Sequence, residues 1–132
     1  MIGFADAVKL GFARYVDFSG RSSRAEFWWW FLFGSILGLV GFIVDIGAGL
    51  IVSGIGVVGL IFALVLLIPN LAIGVRRLHD VNRSGWWLLG PILGWFLLVL
   101  PGLVFTILFV IWACTRSHDE ENKYGPSPLE PS

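Results

Sequence analysis

Two short segments hold most of the side chains able to do chemistry. In DFSGRSSRAEFWWWF, Asp17 to Phe31, Arg21 and Arg24 offer guanidinium forks that suit phosphate or carboxylate, and Glu26 follows two positions later. In PNLAIGVRRLHDVNRSGWW, Pro69 to Trp87, Arg76, Arg77, His79, Asp80 and Arg83 crowd one stretch. Hydrogen-bonded to Asp80, His79 would titrate near neutrality or serve as a general base. Three chemistries fit these groups: a structural arginine–acid network, recognition of anionic headgroups or a protein partner, and catalysis. An adjacent His–Asp pair is a weak catalytic signal. No serine or cysteine nucleophile with motif context stands nearby, and no second histidine has metal-ligand spacing. His118 lies far along the chain beside Asp119, Glu120 and Glu121. The expectation is therefore no catalytic residue, no metal and no cofactor. Arg21, Arg24, Glu26, Arg76, Arg77, His79, Asp80 and Arg83 stand as the candidates for headgroup or partner binding.

Two further polar groups sit inside apolar sequence. Asn70 follows Pro69, and an amide within a membrane helix usually bonds a neighbouring helix. Pro69 has no N–H, so it leaves a carbonyl for Asn70 or another group to satisfy. Asp45 is the only formal charge between Phe27 and Val75. Lining a path, these two would suit a small oligomeric transporter or channel. Conduction demands more polar groups than the apolar segments contain, which favours a non-catalytic membrane component instead. The single cysteine, Cys114, allows no internal disulfide or thiol pair.

The elements that must position these groups are membrane helices. The 132 residues are 57% hydrophobic and only 14% charged, against roughly 25% charged in ordinary soluble domains. Nine basic and nine acidic residues cancel, so no global field recruits nucleic acid. A hydrocarbon core of about 30 Å takes about 20 apolar residues as helix, the one open conformation that satisfies its own backbone there. Spans are expected at about 27–44, 57–75 and 86–114, making an all-α bundle of three transmembrane helices over residues 1–115. The third block would be roughly 43 Å long as one helix and contains Pro91 and Pro101. One tilted, kinked span is the preferred reading, with a re-entrant hairpin or a fourth short span as the alternative.

Ahead of the first span, Ile2, Ala5, Val8, Phe12, Tyr15 and Val16 recur at near-helical spacing, which predicts an amphipathic helix on the membrane surface. The start of the chain lacks the pattern of a cleavable signal, so the first apolar segment is expected to act as its own membrane signal. Residues 116–132 are polar and proline-rich and are expected to form a flexible tail. Ser23 and Glu26 have capping-box spacing, and Trp28, Trp29 and Trp30 fall where indole rings favour the headgroup level. Gly34 with Gly38, Gly59 with Ala63, and Gly90 with Gly94 let helices approach closely, within the bundle or between copies. Basic residues flank the first span and fill the loop after the second, whereas the linker around Asp45 has none. The N-terminus is therefore expected in the cytoplasm.

The motifs GRSSRAEFW, RRLHDVNRSGWW and ENKYGPSP, in that order, resemble the bacterial inner-membrane family of domain of unknown function 805, the YhaH-like proteins. The resemblance covers roughly Phe4 to Pro128. It falls on Gly20, Arg21, Arg24, Glu26 and Trp28, then on Arg76 through Asp80 with Ser84, Gly85 and Trp86, and finally on Asn122 and Tyr124 to Pro126. It implies a multi-pass protein of a bacterial cytoplasmic membrane and carries no activity across. The partners implied are the bilayer itself, its anionic headgroups, and a membrane-protein partner or further copies of the chain.

Overall fold

Two helices long and apolar enough to cross a bilayer form the frame of the computed structural model, which describes residues 2–97, 99–117 and 122–128. Helix α1 runs Phe4–Ala13 and α2 runs Arg24–Ala48. A two-residue-per-strand hairpin, β1 Ile51–Val52 antiparallel to β2 Ile55–Gly56, turns the chain into α3, Val57–Asp80. A 3-10 turn at Gly85–Leu88 leads to α4, Leu89–Leu97, and α5, Val99–Cys114.

Each boundary has a local cause. Ser23 caps α2 by accepting from the Glu26 amide at 3.2 Å, half of the expected capping box. The Glu26 side chain points instead to Arg76. Gly49, at φ 68°, ends α2 in the left-handed conformation that glycine adopts without strain. Asp45 then bends back from the last turn of α2 to cap α3, accepting from the amides of Val58 at 2.8 Å and Gly59 at 3.0 Å. A carboxylate at a helix N-terminus is stabilised by both the orphan amides and the helix dipole. This buried aspartate thus fixes the turn between the two long helices.

The interior of α3 holds Pro69, whose missing N–H strands the carbonyl of Val65. The Tyr15 hydroxyl donates to that oxygen, tying the segment after α1 to the middle of α3. The next residue, Asn70, accepts from the Trp30 indole of α2 at 2.7 Å, so the amide does bridge neighbouring helices. Helix α1 buries Ala7 and Gly11 against the protein and leaves Ala5, Phe12 and Val16 of the expected membrane-facing set exposed. The reason is the seat of Trp30, since a Cβ on Gly11 would come within 2.3 Å of its ring.

The third apolar block departs from one kinked span. It is two helices, α4 and α5, folded against each other. A Cβ on Gly94 would lie 2.7 Å from the Gly102 Cα, and one on Gly102 2.6 Å from the Trp95 amide nitrogen. Backbones meet here at a distance only glycine permits. Trp95 also donates to the Thr106 hydroxyl across the pair at 2.6 Å. The 16 residues of α5 rise about 24 Å, less than the hydrocarbon core of about 30 Å. Of the small-residue pairs, Gly94 serves this hairpin. Gly59 meets Gly41 where α2 crosses α3, and nothing packs within 4 Å of a Cβ placed on Gly38.

Apolar packing gathers at one end. Phe27, Trp30, Leu66, Ile73 and Ala113 form the buried cluster, edged by Trp28, Phe33, Leu37 and Phe109. The far halves of α2 and α3 present Leu39, Ile43, Leu60 and Leu64 outward, as helices solvated by lipid must.

Candidate functional site

The N-terminus of α2 and the C-termini of α3 and α5 meet at the packed end, and the two arginine-bearing segments meet there with the tail. At the centre is Asp80, wholly buried in the last turn of α3. Its Oδ1 accepts from Arg21 at 3.0 Å. Its Oδ2 accepts from Arg77, one turn earlier on the same helix, and from the Ser117 hydroxyl. Arg77 also donates to the carbonyls of Ala113 at 3.1 Å, Ser22 at 3.3 Å, and Thr115. Together with Arg24, which reaches the Cys114 carbonyl at 3.1 Å, it caps the C-terminal end of α5. Cations on those orphan carbonyls oppose the negative end of the helix dipole.

Arg76 makes a second knot beside the first. Its Nε donates to the Ser22 hydroxyl at 2.8 Å, and its Nη1 to the carbonyls of Arg14 at 3.1 Å and Asp17 at 2.7 Å. Its Nη2 lies 3.6 Å from Glu26 Oε2, close enough for an ion pair and too far for a hydrogen bond. The Ser22 amide in turn donates to the Arg76 carbonyl at 3.1 Å. Asp17 closes the loop ahead of α2. It accepts from the Ser19 amide at 2.9 Å, the Ser19 hydroxyl at 2.6 Å and Arg14 at 2.8 Å. The Ser19 hydroxyl above all holds its carboxyl down, to about 2.

Of the tail, expected to be flexible over 116–132, the described residues 116–117 and 122–128 make specific contacts. Ser117 is buried on Asp80, and residues 122–128 dock on the same end. Asn122 and Gly125 pair their backbones, the Asn122 carboxamide oxygen accepts from the Tyr124 amide at 2.8 Å, and Gly125 takes φ 126°. This is an asparagine-led turn closed by a glycine. It presents Tyr124 to His79, ring on ring at 4.0 Å and 3°. The Asn122 carboxamide also donates to the His79 carbonyl at 3.0 Å, and Arg21 to the Gly125 carbonyl at 3.2 Å. His118, Asp119, Glu120 and Glu121 lie outside the described residues.

The candidates therefore divide by burial. Arg21, Arg76 and Arg77 were expected on a basic face and are instead 4%, 1% and 0% exposed, with Glu26 and Asp80 buried among them. Each is spent on internal carboxylates and carbonyls, because a guanidinium withdrawn from water must fill its donors. Arg24 and Arg83 remain at the surface, Arg83 lying over the Trp112 ring at 5.0 Å. His79 does not pair with Asp80. Its Nδ1 faces the Gly20 carbonyl at 2.9 Å, so the expected base–orienter couple is not assembled. No group of three His, Cys, Asp or Glu among the described residues could hold a metal. Asn70, through its oxygen, and Asp45, through its carboxylate, each take part in a contact between helices. Sequence reasoning missed Arg14, Asp17, Ser22 and Ser117. The signal available was an excess of arginines over acids in short segments, which requires carbonyl and hydroxyl acceptors from elsewhere.

Comparisons with known proteins place the chain in a family. A family model described as Protein of unknown function (DUF805) matches residues 15–126. The inner membrane protein YhaI of Escherichia coli K12 is 32% identical over 117 residues, 86% of this chain and 87% of its own length. The inner membrane protein YhaH of the same organism is 33% identical over 122 residues, 89% and 92% of the two chains. The uncharacterized protein YiiR is 32% identical over 129 residues, covering 83% and 84%. No solved structure matches. A mostly helical chain with two long apolar helices and relatives of this description is an inner-membrane protein.

Proposed function

This chain belongs to the DUF805 family, and on that premise we propose that it is a multi-pass, non-catalytic inner-membrane component whose N-terminus and tail share the cytoplasmic face. Helices α2 and α3 cross the bilayer, and the α4–α5 hairpin enters it and returns. The observation that carries this reading is the convergence of all three motifs on one end, where Arg21 and Arg77 meet Asp80 while Asn122 donates to the His79 carbonyl and Gly125 accepts from Arg21. It supports one assignment for every basic segment, as the excess of arginine and lysine on the cytoplasmic side requires.

The buried knots act as a scaffold, and the surface they hold does the recognising. Arg24 and Arg83 stand at that surface, Arg24 on the Cys114 carbonyl and Arg83 over the Trp112 ring, which meets the exposed Trp87 edge-on. Cations beside interfacial tryptophans favour anionic headgroups, each worth about 1 kcal/mol near the surface. A partner with an acidic juxtamembrane face would use the same pair.

The test is lipid selectivity in reconstituted bilayers, read by quenching of the tryptophans with brominated phosphatidylglycerol or phosphatidylcholine. The chain is expected to prefer the anionic lipid. Arg24→Gln with Arg83→Gln removes about 2 kcal/mol of attraction and brings the preference close to parity. An undiminished preference in the double variant would sink this pair as the binding surface.

A further inference from the structure

One corner of the motif end is not filled. Between α1, the start of α2 and the docked tail lies a cavity of about 420 Å³, lined by Ile2, Leu10, Arg14, Ser23, Glu26 and Pro126 among others. A single water needs roughly 10–15 Å³ of such space, so the cavity has room for a polyatomic guest. One wall is carboxylate: Glu26 is 3% exposed, and its Oε2 is the buried side-chain oxygen or nitrogen without a hydrogen bond among the described residues. Its nearest cation, Arg76, is out of hydrogen-bond range and already engaged with Ser22, Arg14 and Asp17. A buried carboxylate oxygen in this condition calls for a donor, and a cationic donor satisfies its charge as well.

The opposite requirement sits a few residues away. Arg14 spends one N–H each on Asp17, Arg21 and Ser19, which leaves two of its five for an acceptor. The Ser23 hydroxyl accepts from the Glu26 amide and retains its own hydrogen to donate. Ile2, Leu10 and the tail prolines add apolar walls. Anion-seeking donors, a carboxylate whose ion-pair partner stands outside hydrogen-bond range and a short apolar wall in one cavity suit a small zwitterion. We propose that this cavity binds phosphoethanolamine, with the ammonium on the Glu26 carboxylate and the phosphate on Arg14 and the Ser23 hydroxyl. The site is separate from the Arg24–Arg83 pair and does not depend on what that pair binds.

The experiment titrates the purified full chain in detergent with dihexanoyl phosphatidylethanolamine, dihexanoyl phosphatidylglycerol and free phosphoethanolamine, following ligand-induced thermal stabilisation. Phosphatidylethanolamine is expected to bind roughly tenfold more tightly than phosphatidylglycerol, the worth of one charge-assisted hydrogen bond. Glu26→Gln should erase that difference. Leu10→Trp, which fills the cavity and touches no ion pair, should abolish binding while the protein still elutes as a single species, so the test survives if Glu26→Gln folds poorly. Equal affinity for the two lipids, or undiminished binding in Leu10→Trp, overturns the proposal. Free phosphoethanolamine binding as tightly as the lipid assigns the site to a soluble ligand. Tighter binding of the lipid assigns it to a membrane headgroup.

Discussion

Replacing Asp80 with asparagine keeps the side chain's shape and removes its charge. In the native protein, Arg21, Arg76 and Arg77 face the carboxylates of Glu26 and Asp80, and the Arg21, Arg77 and Asp80 side chains are each at most 1% exposed. Asp80→Asn leaves three guanidinium groups against one carboxylate, and its amide N–H₂ meets donors where an acceptor is needed. Removing one partner of a buried pair costs about 3–5 kcal/mol, because the other charge stays behind uncompensated. At roughly 3 °C per kcal/mol for a chain of this length, the midpoint of thermal unfolding in detergent should fall by about 10–15 °C. Adding Arg77→Gln removes one excess charge, so the double variant should recover part of the loss, as interacting neighbours do. Fluorescence-monitored melting of the four proteins in that cycle supplies every number needed. If Asp80→Asn shifts the midpoint by less than about 2 °C, the size of a surface substitution, the carboxylate is not the hub described here.

Two further outcomes follow from other parts of the same end. Lys123 is exposed on the docked turn, so Lys123→Cys, with Cys114 replaced by serine, should resist a membrane-impermeant thiol reagent in intact cells and react once the cells are opened. Labelling in intact cells would separate the tail from the cytoplasmic arginines. Asp17 has its carboxyl held at about 2 in the folded chain against an ordinary value of 3.8, so its contribution to stability is complete above about pH 4 and is lost as pH falls toward 2. Asp17→Asn should remove that portion of the acid unfolding profile, so that melting depends less steeply on pH below about 4. A profile between pH 4 and 2 identical to wild type would show that Asp17 titrates normally.

Much of the frame was legible because it is written in composition. Long runs almost free of charge have one solution in lipid, and α2 and α3 begin at Arg24 and Val57, close to the expected 27 and 57, whereas Arg76, Arg77 and Asp80, expected in a loop, continue α3. The break in the third block was not legible from its prolines. Pro91 and Pro101 both sit inside helices, and the chain turns between them, where the Gly94–Gly102 approach rewards folding back. That reward is a long-range contact, invisible to a local reading of helix breakers. The site misled for a related reason. Arginines beside a membrane read as solvated cations, and only the fold shows that carbonyls from residues 14, 17, 22, 113, 115 and 125 converge to bury three of them. The tail read as flexible because its composition is polar. Its order comes from one turn and one stacked ring, features that two or three residues encode.

The acceptors that Asp80 and its arginines need also set an order on the making of this protein. Arg21 and Arg77 leave the ribosome well before Ala113, Thr115 and Gly125, whose carbonyls fill their remaining donors, and Asp80 before the Ser117 hydroxyl it accepts from. Throughout that interval Asp80 already supplies their carboxylate, while several guanidinium N–H groups still wait for acceptors at the edge of the bilayer. The ion pairs are thus available before the carbonyls that let them be buried, and the segment from residue 113 onward closes the knot last.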